Sequence, residues 1–84
     1  MNLYLISQHE NNGYDTYDSA IVAAPDEETA RYMSPMDGHC LLGADWLEEF
    51  SSWCNSPSKV QVELVGKAVK GTKEGVVISS FNAG

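Results

Sequence analysis

The residues able to do chemistry in this 84-residue chain are two histidines, two cysteines, twelve carboxylates and four tyrosines. A metal centre would draw on His9, His39, Cys40 and Cys54. Zinc takes four nitrogen or sulfur ligands, and sequence signatures supply them as close pairs such as C-x-x-C. The one close pair here is His39-Cys40, and adjacent side chains rarely reach the same ion. A loop histidine and packing thiols are therefore expected, and no metal. Nucleophilic catalysis needs a Ser or Cys, a base and an orienting acid in register. No G-x-S-x-G, no C-x-x-C and no G-x-x-x-x-G-K-[ST] phosphate cradle occurs. The pairs Asp15/Asp18 and Glu27/Glu28 have the residue types for glycoside chemistry, but a turn and a helix start account for them. The expectation is a non-enzyme with no catalytic residue and no cofactor.

What remains is a surface. Residues 1–49 carry ten acids against Arg31 alone, a net −9, whereas residues 50–84 carry two acids against four lysines, a net +2. The total of −7 is ordinary for a small soluble domain. Its polarity argues against direct nucleic-acid binding, which needs a concentrated basic face. It suits a carboxylate surface meeting a basic partner. Tyr14-Asp15-Thr16-Tyr17-Asp18 concentrates this chemistry, because carboxylates and phenol hydroxyls together recognise Lys or Arg. Alternation would put Asp15 and Tyr17 on one side of the strand, with Tyr14, Thr16 and Asp18 on the other. The plainer alternative is a solvated hairpin whose tyrosines close the edge of the core.

These residues must be positioned by the elements of one domain spanning residues 1–84. "NLYLISQ" is a short apolar run suited to a strand. Asn11-Asn12-Gly13 is turn chemistry, because Asn and Gly accept positive φ cheaply. A second strand from Thr16–Asp18 through "SAIVAA" would pair back as an antiparallel hairpin. Pro25 is placed at the first helical position, where its missing N–H costs nothing. Asp26, Glu27 and Glu28 then face the positive end of the helix dipole. That helix is expected to run to about Met33 and stop at Ser34-Pro35. Residues 34–44 show no period.

A second helix is expected over Asp45–Trp53, with a capping-box spacing at Asp45/Glu48. Trp46, Phe50 and Trp53 lie at i, i+4 and i+7, a stripe that packs on the sheet or leaves one tryptophan as a binding anchor. "KVQVELVG" alternates Val60, Val62 and Leu64 against Gln61, Glu63 and Val65. "KGTKEG" is a turn and "VVISSF" the last strand. The result is ββααββ, an α+β domain with a four-stranded antiparallel sheet and helices packed on one face. A chain this short buries only about 60–65% of its unfolded surface. No apolar run approaches the roughly 20 residues that span a bilayer. The start "MNLYLISQHENN" has no positive n-region. Cytoplasmic residence and two free thiols are expected.

"GYDTYDSAIVAA" with "EETAR", "VQVELVGKA" and "GVVISSFNAG" resembles a family of small uncharacterised phage and prophage proteins. Residues 34–44 match it weakly. The resemblance supplies no catalytic residue. It implies a stoichiometric inhibitor of a host defence or nucleic-acid-handling machine, in the manner of an anti-CRISPR, acting in the host cytoplasm. Its partner would be a host protein or ribonucleoprotein complex with a basic surface, met through Asp15, Tyr17, Asp18, Asp26, Glu27 and Glu28, with Glu48 and Glu49 next. The alternative is a structural or housekeeping phage module that forms a homodimer through its sheet edges or its tryptophan face.

Overall fold

The computed structural model describes residues 1–11, 13, 15–49 and 52–82, with the side chain of Glu49 outside that description. The described residues form an α+β fold of four strands and two short helices. In order these are β1 (Asn2–Ser7), β2 (Thr16–Ala24), α1 (Glu27–Arg31), α2 (Asp45–Glu49), a 3₁₀ turn at Pro57–Lys59, β3 (Gln61–Lys67) and β4 (Gly75–Asn82). The sheet is antiparallel throughout, in the order β3-β1-β2-β4. The two last strands are therefore not neighbours. The segment 68–74 crosses the end of the sheet where Asn2 and Ala24 lie, since Lys67 pairs with Asn2 and Gly75 with Ala23.

Period-2 burial explains the core. Tyr4 and Ile6 of β1 and Ala20, Val22 and Ala24 of β2 point to one face. Ala30, Met33, Leu41, Trp46, Trp53 and Cys54 close over it. The other face carries Leu5, Ile21 and Ile78 in one cross-strand row, and Ile78 is 65% exposed. Both tryptophans are thus core residues; Phe50 lies outside the described residues. Among the described residues no helix is long and apolar enough to cross a membrane.

Local expectations needed four corrections. Pro25 precedes the N-cap, and Asp26 is the cap, accepting from the Thr29 N–H at 2.8 Å. Helix α1 stops at Arg31, because Met33 bridges to Cys40 instead of continuing the helix. Helix α2 is described over Asp45–Glu49 and does not reach Trp53, which lies in a bend, and the Asp45 carboxylate accepts from the Leu42 N–H rather than forming a capping box with Glu48. The alternation of β3 holds through Val62 and Leu64, which lie opposite Ile6 and Tyr4, and breaks at Val65, the extra residue of a bulge; Leu64 is nevertheless 61% exposed.

Candidate functional site

The acidic residues fall into separate groups, one at each end of β2. At the hairpin end, β2 begins with Thr16, which is buried and whose hydroxyl donates to the Gly13 carbonyl at 2.6 Å. Asp15 precedes it in the left-handed region (φ 59°), and its N–H donates to the Asn82 carbonyl. Aspartate tolerates this conformation better than most residues, and it leaves the Asp15 side chain exposed. Tyr17 stacks at a tilt on Phe81, ring centroids 4.7 Å apart. Asp18 is the extra residue of a bulge, because Tyr17 faces Phe81 while Ser19 faces Ser80. The expected alternation through Asp15–Asp18 therefore fails at both acids: Asp15 lies outside the strand, and Asp18 is bulged. Tyr14 lies outside the described residues.

Gln8, which the sequence reading passed over, organises this end. It is fully buried, and its Nε2 donates to the carbonyls of Asn11 (2.8 Å) and Tyr17 (2.9 Å). Its Oε1 accepts from the N–H groups of Glu10 and Asn11, both at 2.8 Å. One side chain thus satisfies three main-chain groups of the loop after β1 and the Tyr17 carbonyl at the start of β2. Asn11 adds a hydrogen bond to the Trp53 carbonyl at 3.1 Å.

The other group sits at the start of α1. Hydrogen bonds from Thr29 hold the Asp26 carboxyl below its ordinary range. Glu27 pairs with Arg31 at 3.4 Å, and the Arg31 guanidinium also donates to the carbonyls of Pro57 and Val60, tying α1 to the 3₁₀ turn. Glu28 is exposed and in no ion pair among the described residues. Nine strand residues rising about 3.3 Å each put roughly 26 Å between Thr16 and Ala24, so the two groups form no common patch. Glu48 is exposed on α2, and the Glu49 side chain lies outside the described residues.

Folding also redistributes charge. Lys67 ends β3, and Lys70 and Lys73 lie in the crossing that follows it, at the Ala24 end of the sheet near α1. Lys59 pairs with Glu10 at 3.7 Å. The sharp split along the chain is therefore softened in space. The hairpin end, with Asp15 and Asp18, stays acidic.

No known protein family, curated protein or solved structure matches the chain.

Among the described residues no group of three or more His, Cys, Asp or Glu side chains is placed to hold a metal ion. His39 contacts the Asp37 carboxylate, Cys40 is exposed, and Cys54 is buried, which pushes its thiol up. Sequence reasoning missed a groove of about 260 Å³ beside α1, lined by Glu28, Tyr32, Met33, Cys40, Leu42 and Glu74. Gly38 (φ 81°) shapes its base. A Cβ there would lie 3.1 Å from the Gly75 Cα and 3.2 Å from the Val76 nitrogen, so glycine lets the 34–42 segment rest on β4.

Proposed function

We propose that the protein is a non-enzymatic binding protein that presents its acidic, aromatic hairpin end to a basic site on a partner. One observation carries this reading. Asp15 and Asp18 flank Tyr17 in the chain and are both exposed, Tyr17 stacks on Phe81, and neither acid has an ion pair among the described residues. Carboxylates beside an aromatic edge suit a lysine- or arginine-bearing surface, for charge and for stacking. The resemblance to small phage proteins supports the narrower form: a host defence or nucleic-acid-handling complex as the partner, and inhibition as the effect. Cleavage assays on host CRISPR–Cas and restriction complexes test this, comparing the wild type with an Asp15→Lys, Asp18→Lys, Glu27→Lys triple variant. Inhibition that falls with salt and disappears in the folded triple variant is expected. Equal inhibition by the variant would sink the acidic-surface reading.

A homodimer is the second reading, and β4 favours it. This edge strand of eight residues carries no charged side chain, and an unguarded edge can pair with its own copy. Light scattering at rising concentration separates the two, with a stable dimer expected only under the second.

A further inference from the structure

We propose that the groove beside α1 is a seat for an arginine side chain carried by a protein partner. The proposal rests on the reading of the protein as a binder of basic surfaces, and it adds a second contact point far from the hairpin end. Tyr32, Met33 and Leu42 supply apolar lining, and Leu42 is 64% exposed. Glu28 and Glu74, both exposed, bring two carboxylates to the same groove from positions 46 residues apart in sequence. No lysine or arginine lines it, and neither acid has an ion pair among the described residues. Arg31, the cation on the same helix as Glu28, is already engaged, because its guanidinium serves Glu27 and the carbonyls of Pro57 and Val60. The groove is thus apolar, with two carboxylates and no cation among its lining residues.

That combination fits arginine. Its aliphatic stem covers apolar surface while its charged head stays at the rim. Its planar guanidinium stacks on a tyrosine ring and reaches carboxylates through a fork of donors that lysine lacks.

Cys40 provides a direct readout, being an exposed thiol of the groove, while Cys54 is buried. The probe is N-acetyl-arginine methylamide, titrated into the isotopically labelled protein and followed by amide chemical shifts. Shifts centred on Glu28, Tyr32, Cys40, Leu42 and Glu74 are expected, with slower alkylation of Cys40 at saturation. In the Glu28→Gln, Glu74→Gln variant the dissociation constant should rise at least about tenfold, as loss of charge-assisted hydrogen bonds implies. The thermal midpoint should stay near that of the wild type, since both positions are exposed. The neutral citrulline analogue should not bind. Equal binding by citrulline or by the lysine analogue would overturn the assignment, as would shifts located at Asp15 and Asp18. The probe needs no partner, so failure here with an intact hairpin-end effect on inhibition removes only the groove. Groove binding in a protein whose hairpin charges prove irrelevant would instead overturn the function proposed above.

Discussion

The amide nitrogen of Gln8 donates to the main-chain carbonyl of Tyr17 at 2.9 Å, so the residue that follows β1 holds the start of β2 from inside. The same side chain serves Glu10 and Asn11. Replacing Gln8 by leucine keeps its bulk and strands these main-chain groups. Each buried polar group left unpaired costs about 1–3 kcal/mol. A loss of roughly 2–4 kcal/mol in urea unfolding is expected, after allowing for loop relaxation and water entry. An exposed substitution such as Glu10→Gln should change stability far less. Partner binding should weaken with Gln8→Leu even where the protein remains folded, because Asp15 and Asp18 lose their fixed mounting.

The Asp26 cap links stability to pH. Its carboxyl is held below its ordinary range by the Thr29 hydrogen bonds, so the folded state favours the ionised form. The contribution is fully present above the unfolded-state value and is lost as pH falls through the folded one. Asp37, lowered chiefly by the His39 N–H, has the same sign. Thermal melts should therefore show a midpoint that declines below about pH 4. Asp26→Ala should lower the midpoint at pH 7 and reduce the decline on acidification. An unchanged decline would mean that other carboxylates govern acid unfolding.

These features were unequally visible in the sequence, for physical reasons. Tyr4, Ile6, Ala20 and Val22 follow a strict period of 2 on a half-buried sheet, so the first two strands and their buried face were legible. Asp26–Glu28 announced a helix start, although proline fell one place outside the cap. The bulges interrupted the pattern locally, with Asp18 as the extra residue opposite the Phe81–Ser80 step and Val65 as the extra residue between the partners of Tyr4 and Leu3. Residues 34–44 had no period because their order comes from pairings such as Ser34 N–H to the His39 carbonyl and Leu41 N–H to the Tyr32 carbonyl. The groove was invisible for a related reason. Glu28 and Glu74 meet only because β4 crosses to the far edge of the sheet.

The two buried tryptophans should respond differently to shortening. Trp46 donates its indole N–H to the Leu41 carbonyl at 3.0 Å and packs edge-on against Tyr32. The Trp53 indole N–H is fully buried and meets no acceptor among the described residues. Phenylalanine removes ring volume at both sites, but at Trp53 it also relieves an unpaired donor. Trp46→Phe should therefore cost about 1 kcal/mol more than Trp53→Phe in denaturant unfolding. The reverse order would show that cavity formation at Trp53 outweighs the polar difference.

Gly38 should tolerate no side chain. Its φ of 81° disfavours any L-residue, and an added Cβ would press on the Gly75 Cα and the Val76 nitrogen, both main-chain atoms that cannot swing away. Gly38→Ala is expected to cost about 1–3 kcal/mol, the scale of a strained left-handed position. Gly71 is the matched control. Its φ of 92° carries similar strain, yet nothing lies within 4 Å of its Cβ position. A larger loss at Gly38 than at Gly71 isolates the backbone contact, and only Gly38→Ala should alter Cys40 alkylation.

The separation of the acidic groups yields the last prediction. Asp15 and Asp18 stand at one end of β2, and Asp26 and Glu28 about 26 Å away at the other, near Lys67, Lys70 and Lys73. Sites this distant, with no shared partner, act additively within about 0.5 kcal/mol. Reversing Asp15 and Asp18 to lysine should weaken partner binding most and steepen with falling salt, since no lysine other than the one already paired with Glu10 offsets that end. Reversing Glu28 should act through the groove and leave the hairpin effect unchanged. The triple variant combining these reversals should show the sum of the two losses when binding is measured by calorimetry. A clear excess over that sum would mean that one partner surface spans both ends as a single cooperative contact. Equal losses per charge reversed at either end would mean that total charge, not position, governs binding.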